Sequence, residues 1–142
     1  MDKWGRVDVI VNNAGIIRDK SFKKMTDDDY KIIIDVHLRG TYSLCKAAWP
    51  IFNQQKYGRV VNVSSPSGLW GNFGQANYSS AKMGIVGLTL TLAKEGERKN
   101  IFLNCLAPNA FTTMTVGIIP EDFAKKVSVK EITPVVLFLA SE

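Results

Sequence analysis

Arg59-Val60-Val61-Asn62-Val63, a helical stretch from Ala76 to Arg98, and Ile101-Phe102-Leu103-Asn104-Cys105-Leu106 follow one another and decide the fold. The two short runs are rich in β-branched and apolar residues, which reads as strand. Between them, Ile85, Leu88, Leu92 and Ala93 recur at helical spacing. Strands joined by a long helix pair in parallel, because an antiparallel pair needs only a tight turn. Pro108 stops the second strand.

Towards the N-terminus, Val7-Asp8-Val9-Ile10-Val11 reads as a further buried strand, ended by Asn12-Asn13-Ala14-Gly15. Thr26 followed by Asp27, Asp28 and Asp29 marks a helix start, since a hydroxyl caps free amides and carboxylates suit the positive end of the dipole. This helix is expected to run towards Lys56, with Pro50 bending or breaking it late. Ser64 to Gly74 is predicted to be a loop. Towards the C-terminus, Ser128 and Glu131 predict a capping box at the head of a last helix, whose apolar run is Val135 to Leu139. The expectation is a single α/β domain over residues 1–142, with about three parallel strands and long flanking helices. Parallel sheets need both faces covered and usually more strands, so the domain is expected to be cut off at both ends.

Of the 142 residues 46% are hydrophobic, enough for a core, yet no run reaches the roughly 20 apolar residues that span a bilayer. Met1-Asp2-Lys3-Trp4-Gly5 has no apolar stretch of a secretory signal. The net charge of +5 suits an anionic partner such as a dinucleotide or a coenzyme A ester, and equally fits a plain solvated surface. The charges are scattered, without the basic stripe of a nucleic-acid binder. Cys45 and Cys105 lack metal-ligand spacing, so no metal site is expected and both read as buried free thiols.

Tyr78 and Lys82 lie one helical turn apart on one face. A phenol with a reference pKa near 10 is a poor base, and an ammonium about 4 Å away would favour the phenolate by up to roughly 4 kcal/mol. Tyr42 and Lys46 have the same spacing, so context must choose. Ser65 stands thirteen residues before Tyr78, just past a strand end, whereas Asp29 stands thirteen before Tyr42 in a helix start. A serine at the carboxyl end of a parallel strand sits where open α/β sheets bind ligands. Gly68, Gly71 and Gly74 are expected to let the loop fold back so that Ser65 and Tyr78 converge. Tyr78 as a mere core aromatic is the plain alternative, and Trp70 and Phe73 fit a substrate mouth or ordinary loop packing.

Asn12-Asn13-Ala14-Gly15, Ser64-Ser65, Tyr78-Ser79-Ser80-Ala81-Lys82 and Asn104-Cys105-Leu106-Ala107-Pro108 stand in the order and spacing of the short-chain dehydrogenase/reductase family, which the chain resembles over nearly its whole length. Ala47-Ala48-Trp49-Pro50, Gln55-Lys56-Tyr57-Gly58-Arg59, the run from Gly71 to Tyr78, Ala107-Pro108-Asn109-Ala110 and Pro120-Glu121-Asp122 resemble its branch of (3R)-hydroxyacyl-CoA dehydrogenase units in peroxisomal multifunctional enzymes. The resemblance implies a partial Rossmann-like, doubly wound parallel sheet. It implies hydride transfer between a nicotinamide cofactor and a hydroxyl or carbonyl substrate, a (3R)-3-hydroxyacyl-CoA of fatty-acid β-oxidation. Tyr78 would be the general acid/base, Lys82 would lower its pKa and hold the nicotinamide ribose, and Ser65 would hold the substrate oxygen. Asn13, Ala14 and Gly15, with Pro108, Asn109, Ala110 and Thr112, would lie along the cofactor. A homodimer through the two long helices is implied, as is a peroxisomal location (otherwise cytoplasmic), although the chain ends Ala140-Ser141-Glu142 without a peroxisomal address.

The sequence departs from the family at several points. His37 takes a position where many members carry asparagine, and the resembling branch also has histidine there; a proton relay and a structural role both fit. Pro108-Asn109 replaces the usual Pro-Gly, and Phe111 and Thr113 differ from the branch. The family's Thr-Gly-x-x-x-Gly-x-Gly turn, which brings amides to a pyrophosphate, is not in this sequence. NAD is the expected cofactor, with NADP left open, because the residue that chooses between them belongs to that same early part. The chain is therefore expected to be a piece of a larger enzyme, its first strand presenting an unpaired apolar edge prone to self-association. A 3-oxoacyl carrier-protein reductase using NADPH is one alternative. A non-catalytic fragment or dimerisation module is another.

Overall fold

β2 (Gly58–Val63) is buried at every position, as a strand covered on both faces should be. The computed structural model, which describes residues 3–109 and 128–141, sets β1 (Val9–Asn12) and β3 (Ile101–Leu106) on either side of it, both parallel. The register pairs Val11 with Val61 and Val61 with Asn104, so all three strands finish at one edge. The Ser64 amide donates to the Leu106 carbonyl at 2.7 Å and carries the pairing one residue further. This is the edge at which open α/β sheets bind ligands.

α1 (Asp27–Ile33) begins with a capping box: the Thr26 hydroxyl accepts from the Asp29 amide and the Asp29 carboxylate accepts from the Thr26 amide. The helix passes through a π-helical segment (Ile34–Arg39) into α2 (Gly40–Gln55). Pro50 does not break it, and α2 ends only where Lys56 turns left-handed at φ 52°. Pro50 is exposed, so the carbonyl deprived of its N–H can be met by water. The irregularity falls instead at the π segment, a feature that often marks functional positions.

Cys45, Ala48 and Phe52 of α2 pack on Val60, Ile101 and Leu103, with Leu92 and Ala93 of α4 (Ala76–Gly96) against the same cluster. α2 and α4 thus cover one face of the sheet. Gly58 is a consequence of that packing, since a Cβ there would come 2.5 Å from the Phe52 ring. On the other face α5 (Val129–Ala140) meets β2, and Arg59 reaches the Ser141 carbonyl at 3.2 Å. The Arg59 guanidinium is buried between the rings of Tyr57 (4.3 Å) and Phe102 (4.6 Å) and also donates to the Asn100 carbonyl.

Local expectations need further corrections, the first at β1, which was expected to be buried over Val7 to Val11 but begins at Val9 and, as an edge strand, exposes Val9 and Val11. The stretch Ser64 to Gly74 is not all loop: Pro66–Trp70 forms a short helix, α3, with Ser65 as its cap and Pro66 in its first turn. Ser128 does cap α5, but its hydroxyl accepts from the Lys130 amide while the Glu131 amide goes to the Ser128 carbonyl, so the reciprocal box does not form. Both cysteines are free, and only Cys45 is fully buried. Ala110, Phe111, Thr112, Thr113 and Pro120-Glu121-Asp122 lie outside the described residues.

Candidate active site

Past Val63 the chain leaves the sheet through two serines with different tasks. Ser64 is buried and donates from Oγ to the Lys82 carbonyl at 2.8 Å, tying the strand end to α4. Ser65 caps α3, its Oγ accepting from the Ser67 amide at 3.2 Å. α3 lies hard against α4 because position 68 is glycine: a Cβ there would come 2.7 Å from the Lys82 Cβ. Gly68 therefore serves close approach, while Gly71 (φ 76°) and Gly74 (φ 80°) make the turns that return the chain to α4.

Tyr78 sits in the first turn of α4, half-buried, with Lys82 one turn further on and 4% exposed. The Lys82 ammonium donates to the Val63 carbonyl at 2.7 Å and lies 5.5 Å from the centre of the Tyr78 ring. Burial depresses its pKa to about 8, against the opposing effect of nearby Cys105. The Tyr78 phenol stands above its ordinary value: burial raises it, a hydrogen bond from Ser65 lowers it, and the charge of Asp19 raises it again. Desolvation of the phenolate is the largest of these effects.

His37 enters from the π segment and is 2% exposed. Its ring meets that of Tyr78 edge-on, 5.2 Å between centres. Nε2 lies 2.8 Å from the Ile16 carbonyl and 3.1 Å from the Ile16 amide, while Nδ1 has no hydrogen-bond partner among the described residues. With Nε2 protonated, the ring donates to that carbonyl and Nδ1 is left as a bare buried acceptor. Burial holds His37 below its ordinary pKa, against the Ile16 carbonyl and assisted by the charge of Lys82, so the ring is neutral at pH 7. Gly15 makes room for it, since a Cβ would come 2.5 Å from His37 Cε1.

Ser65, Tyr78, Lys82, His37 and Gly15 are thus brought together. Asn13 and Ala14 follow β1 and are exposed, and Pro108 and Asn109 follow β3. They border the same sheet edge, and among the described residues no hydrogen bond joins them to the cluster. The decoy Tyr42 is half-exposed on α2 and lines a groove with Lys46, Trp49, Leu88 and Leu92, none of them a serine. Trp70 and Phe73 are 80% and 89% exposed, so neither packs in the loop. Asn77, fully buried beside Tyr78, joins the site without having been expected there; its one sequence signal is an asparagine in the first turn of a helix, a capping residue type.

The model of a family described as short chain dehydrogenase matches residues 1–123. The chain is 54% identical over 140 residues to a peroxisomal hydratase-dehydrogenase-epimerase of Saccharomyces cerevisiae, covering 99% of this chain and 16% of that protein. It is 51% identical over 142 residues to the peroxisomal multifunctional enzyme type 2 of Mus musculus, covering 100% of this chain and 19% of that one. The solved structure of full-length peroxisomal multifunctional enzyme type 2 from Drosophila melanogaster matches with a TM-score of 0.83 and 43% identity, over 93% of this chain and 24% of that one. The chain therefore spans less than a fifth of the length of the two curated relatives.

Proposed function

The chain belongs to the short-chain dehydrogenase family, and from that membership and the cluster around Tyr78 we propose that it carries the proton-transfer site of a nicotinamide-dependent oxidoreductase acting on a (3R)-3-hydroxyacyl-CoA. The observation that carries this reading is the juxtaposition, at the carboxyl edge of the sheet, of Ser65 at the head of α3 with Tyr78 and buried Lys82 on α4, where the two helices pack together and the ammonium lies 5.5 Å from the centre of the phenol ring.

Bound NAD would supply the hydride acceptor and donor, the cofactor's own chemistry. The residues present fit such a group. Lys82 uses one ammonium hydrogen on the Val63 carbonyl and keeps two for hydroxyls of a ribose. Asn13, Ala14, Gly15, Pro108 and Asn109 flank the same sheet edge, the usual seat of a dinucleotide, and Ala110 and Thr112 complete the proposed set.

Ser65 holds the reacting oxygen of the substrate and orients it towards Tyr78. In the reducing direction the carbonyl carbon gains hydride while its oxygen takes the Tyr78 proton; burial keeps the phenol protonated at neutral pH and ready to give it. In the oxidising direction Tyr78 removes the hydroxyl proton once alkaline pH has turned it into the phenolate. His37, neutral and with Nδ1 unpaired, passes that proton on through a water. Pairing of two copies is assigned to α2 and α4, which expose Tyr42, Leu44 and Leu90. The location proposed is the peroxisome, as in the names of the relatives.

The test is NADH oxidation by the full chain with a 3-oxoacyl-CoA, read by nicotinamide absorbance. Tyr78→Phe should lose about 10²–10⁴-fold in turnover, while Tyr42→Phe stays close to wild type. No turnover in the wild type, or equal turnover in Tyr78→Phe, refutes the reading.

A further inference from the structure

The run from Ile16 to Lys20 has no regular structure of its own, yet it is fastened over the start of α4. The Arg18 carbonyl accepts from Asn77 Nδ2 at 3.1 Å, Asp19 accepts from Gln75 Nε2 at 2.7 Å, and the Lys20 amide donates to the Gly74 carbonyl at 2.9 Å. Residues 18, 19 and 20 thus meet 77, 75 and 74 in antiparallel order. The Lys20 ammonium pairs with Asp29 at 2.7 Å, and Ile16 is held by His37. The result is a strap fastened over the first turn of α4, where Tyr78 stands.

Asn77 is its central fastening. The side chain is 0% exposed, and both of its amide hydrogens are spent on carbonyls of other segments: Arg18 in the strap and Asp29 in α1, at 3.0 Å. Its Oδ1 accepts from the Tyr78 amide at 2.8 Å. Gln75, the capping position of α4, gives no side-chain cap, so this bond satisfies a first-turn amide that the helix itself cannot. Two donors and an acceptor on so short a side chain are found in asparagine; aspartate lacks the donors, and leucine lacks all three.

We propose that Asn77 is a positioning residue for Tyr78, a three-way clasp that joins the Ile16–Lys20 strap and α1 to the α4 backbone and so fixes the phenol opposite Ser65. Asn77 touches neither substrate nor cofactor and acts through Tyr78; its role in catalysis rests on the reading of Tyr78 given above. The groups facing Tyr78 are Asp19 from the strap, the neutral His37 ring from the π segment, the Lys82 ammonium from its own helix and the Ser65 hydroxyl from the head of α3. Releasing the strap admits water to the phenol and moves Asp19 away, and both changes lower its pKa.

Asn77→Ala in the full chain tests this, with Tyr78→Phe and the double variant isolating the Tyr78 phenolate in an ultraviolet titration. The Tyr78 midpoint should move down towards 10, and the amides of the strap should exchange hydrogen about tenfold faster or more. Asn77→Ser keeps an oxygen for the Tyr78 amide but cannot reach both carbonyls; it should show the same changes and decides the matter if the alanine variant does not fold. A folded variant with an unmoved midpoint overturns the proposal. So does failure of both variants to fold, since Asn77 would then serve folding alone. Neither readout needs turnover, so an error in the catalytic reading of Tyr78 would appear in the NADH assay and leave these results standing.

Discussion

Replacing Gly68 with alanine separates what local helix physics favours from what the packing at the site allows. Gly68 lies inside α3, where exchanging glycine for alanine ordinarily stabilises by about 0.5–1 kcal/mol. Here the new methyl would sit 2.7 Å from the Lys82 Cβ, 3.0 Å from the Lys82 carbonyl carbon and 3.1 Å from the Met83 amide nitrogen. None of these is the loose end of a side chain, so α3 must move off α4 by roughly 1 Å to restore ordinary contact. Overpacking of this kind costs about 1–3 kcal/mol, which outweighs the helix gain and leaves a net loss of about 1–2 kcal/mol. For a chain of this size that is a fall in melting temperature of roughly 3–6 °C. The movement also carries Ser65, the cap of α3, away from Tyr78 and Lys82 on α4. A misplacement of about 1 Å can lower turnover about 10²-fold. Thermal unfolding and NADH-linked turnover, measured on the same preparations, give both quantities. A Gly68→Ala protein as stable and as active as the wild type would refute the close-packing account of α3 on α4.

Lys82 should leave a mark on stability at alkaline pH. Its folded pKa, about 8, lies below the unfolded value near 10.5, so the folded state is penalised while the group is charged and gains stability as pH rises from about 8 to about 10.5. The difference amounts to about 3 kcal/mol and should vanish in Lys82→Met; denaturant unfolding of both proteins across that range measures it, and parallel pH curves would sink the assignment. Arg59→Lys keeps the charge but loses the flat guanidinium between Tyr57 and Phe102 and the bonds that only a fork can make to Gly58, Asn100 and Ser141. A loss of about 2 kcal/mol or more is expected, with faster hydrogen exchange at the α5 end; an unchanged unfolding midpoint contradicts it.

The pieces that could be read in the sequence are those whose cause lies within a few residues. β3 falls on Ile101–Leu106 as expected because an apolar run bounded by Asn100 and Pro108 has few other options. Thr26 and Asp29 form their box with partners three residues apart. α3 is hard to read from sequence because Pro66-Ser67-Gly68-Leu69-Trp70 has the composition of a loop, although Ser65-Pro66 is itself a helix-start signal. Pro50 was expected to bend or break α2 and does not break it, since its exposed position tolerates the lost bond.

The order of strands and helices and the parallel sheet were determined by the sequence, because apolar runs and helical spacing are properties of the chain itself. Only the tertiary structure decided how Tyr78 titrates and what holds it. How far a phenol is desolvated depends on how much water the packed segments exclude, and the partners of Asn77 and His37 come from segments distant in sequence. Local pattern fixes which groups can take part; the energies at the site are set by burial and by contacts between remote segments, which exist only once the chain has folded.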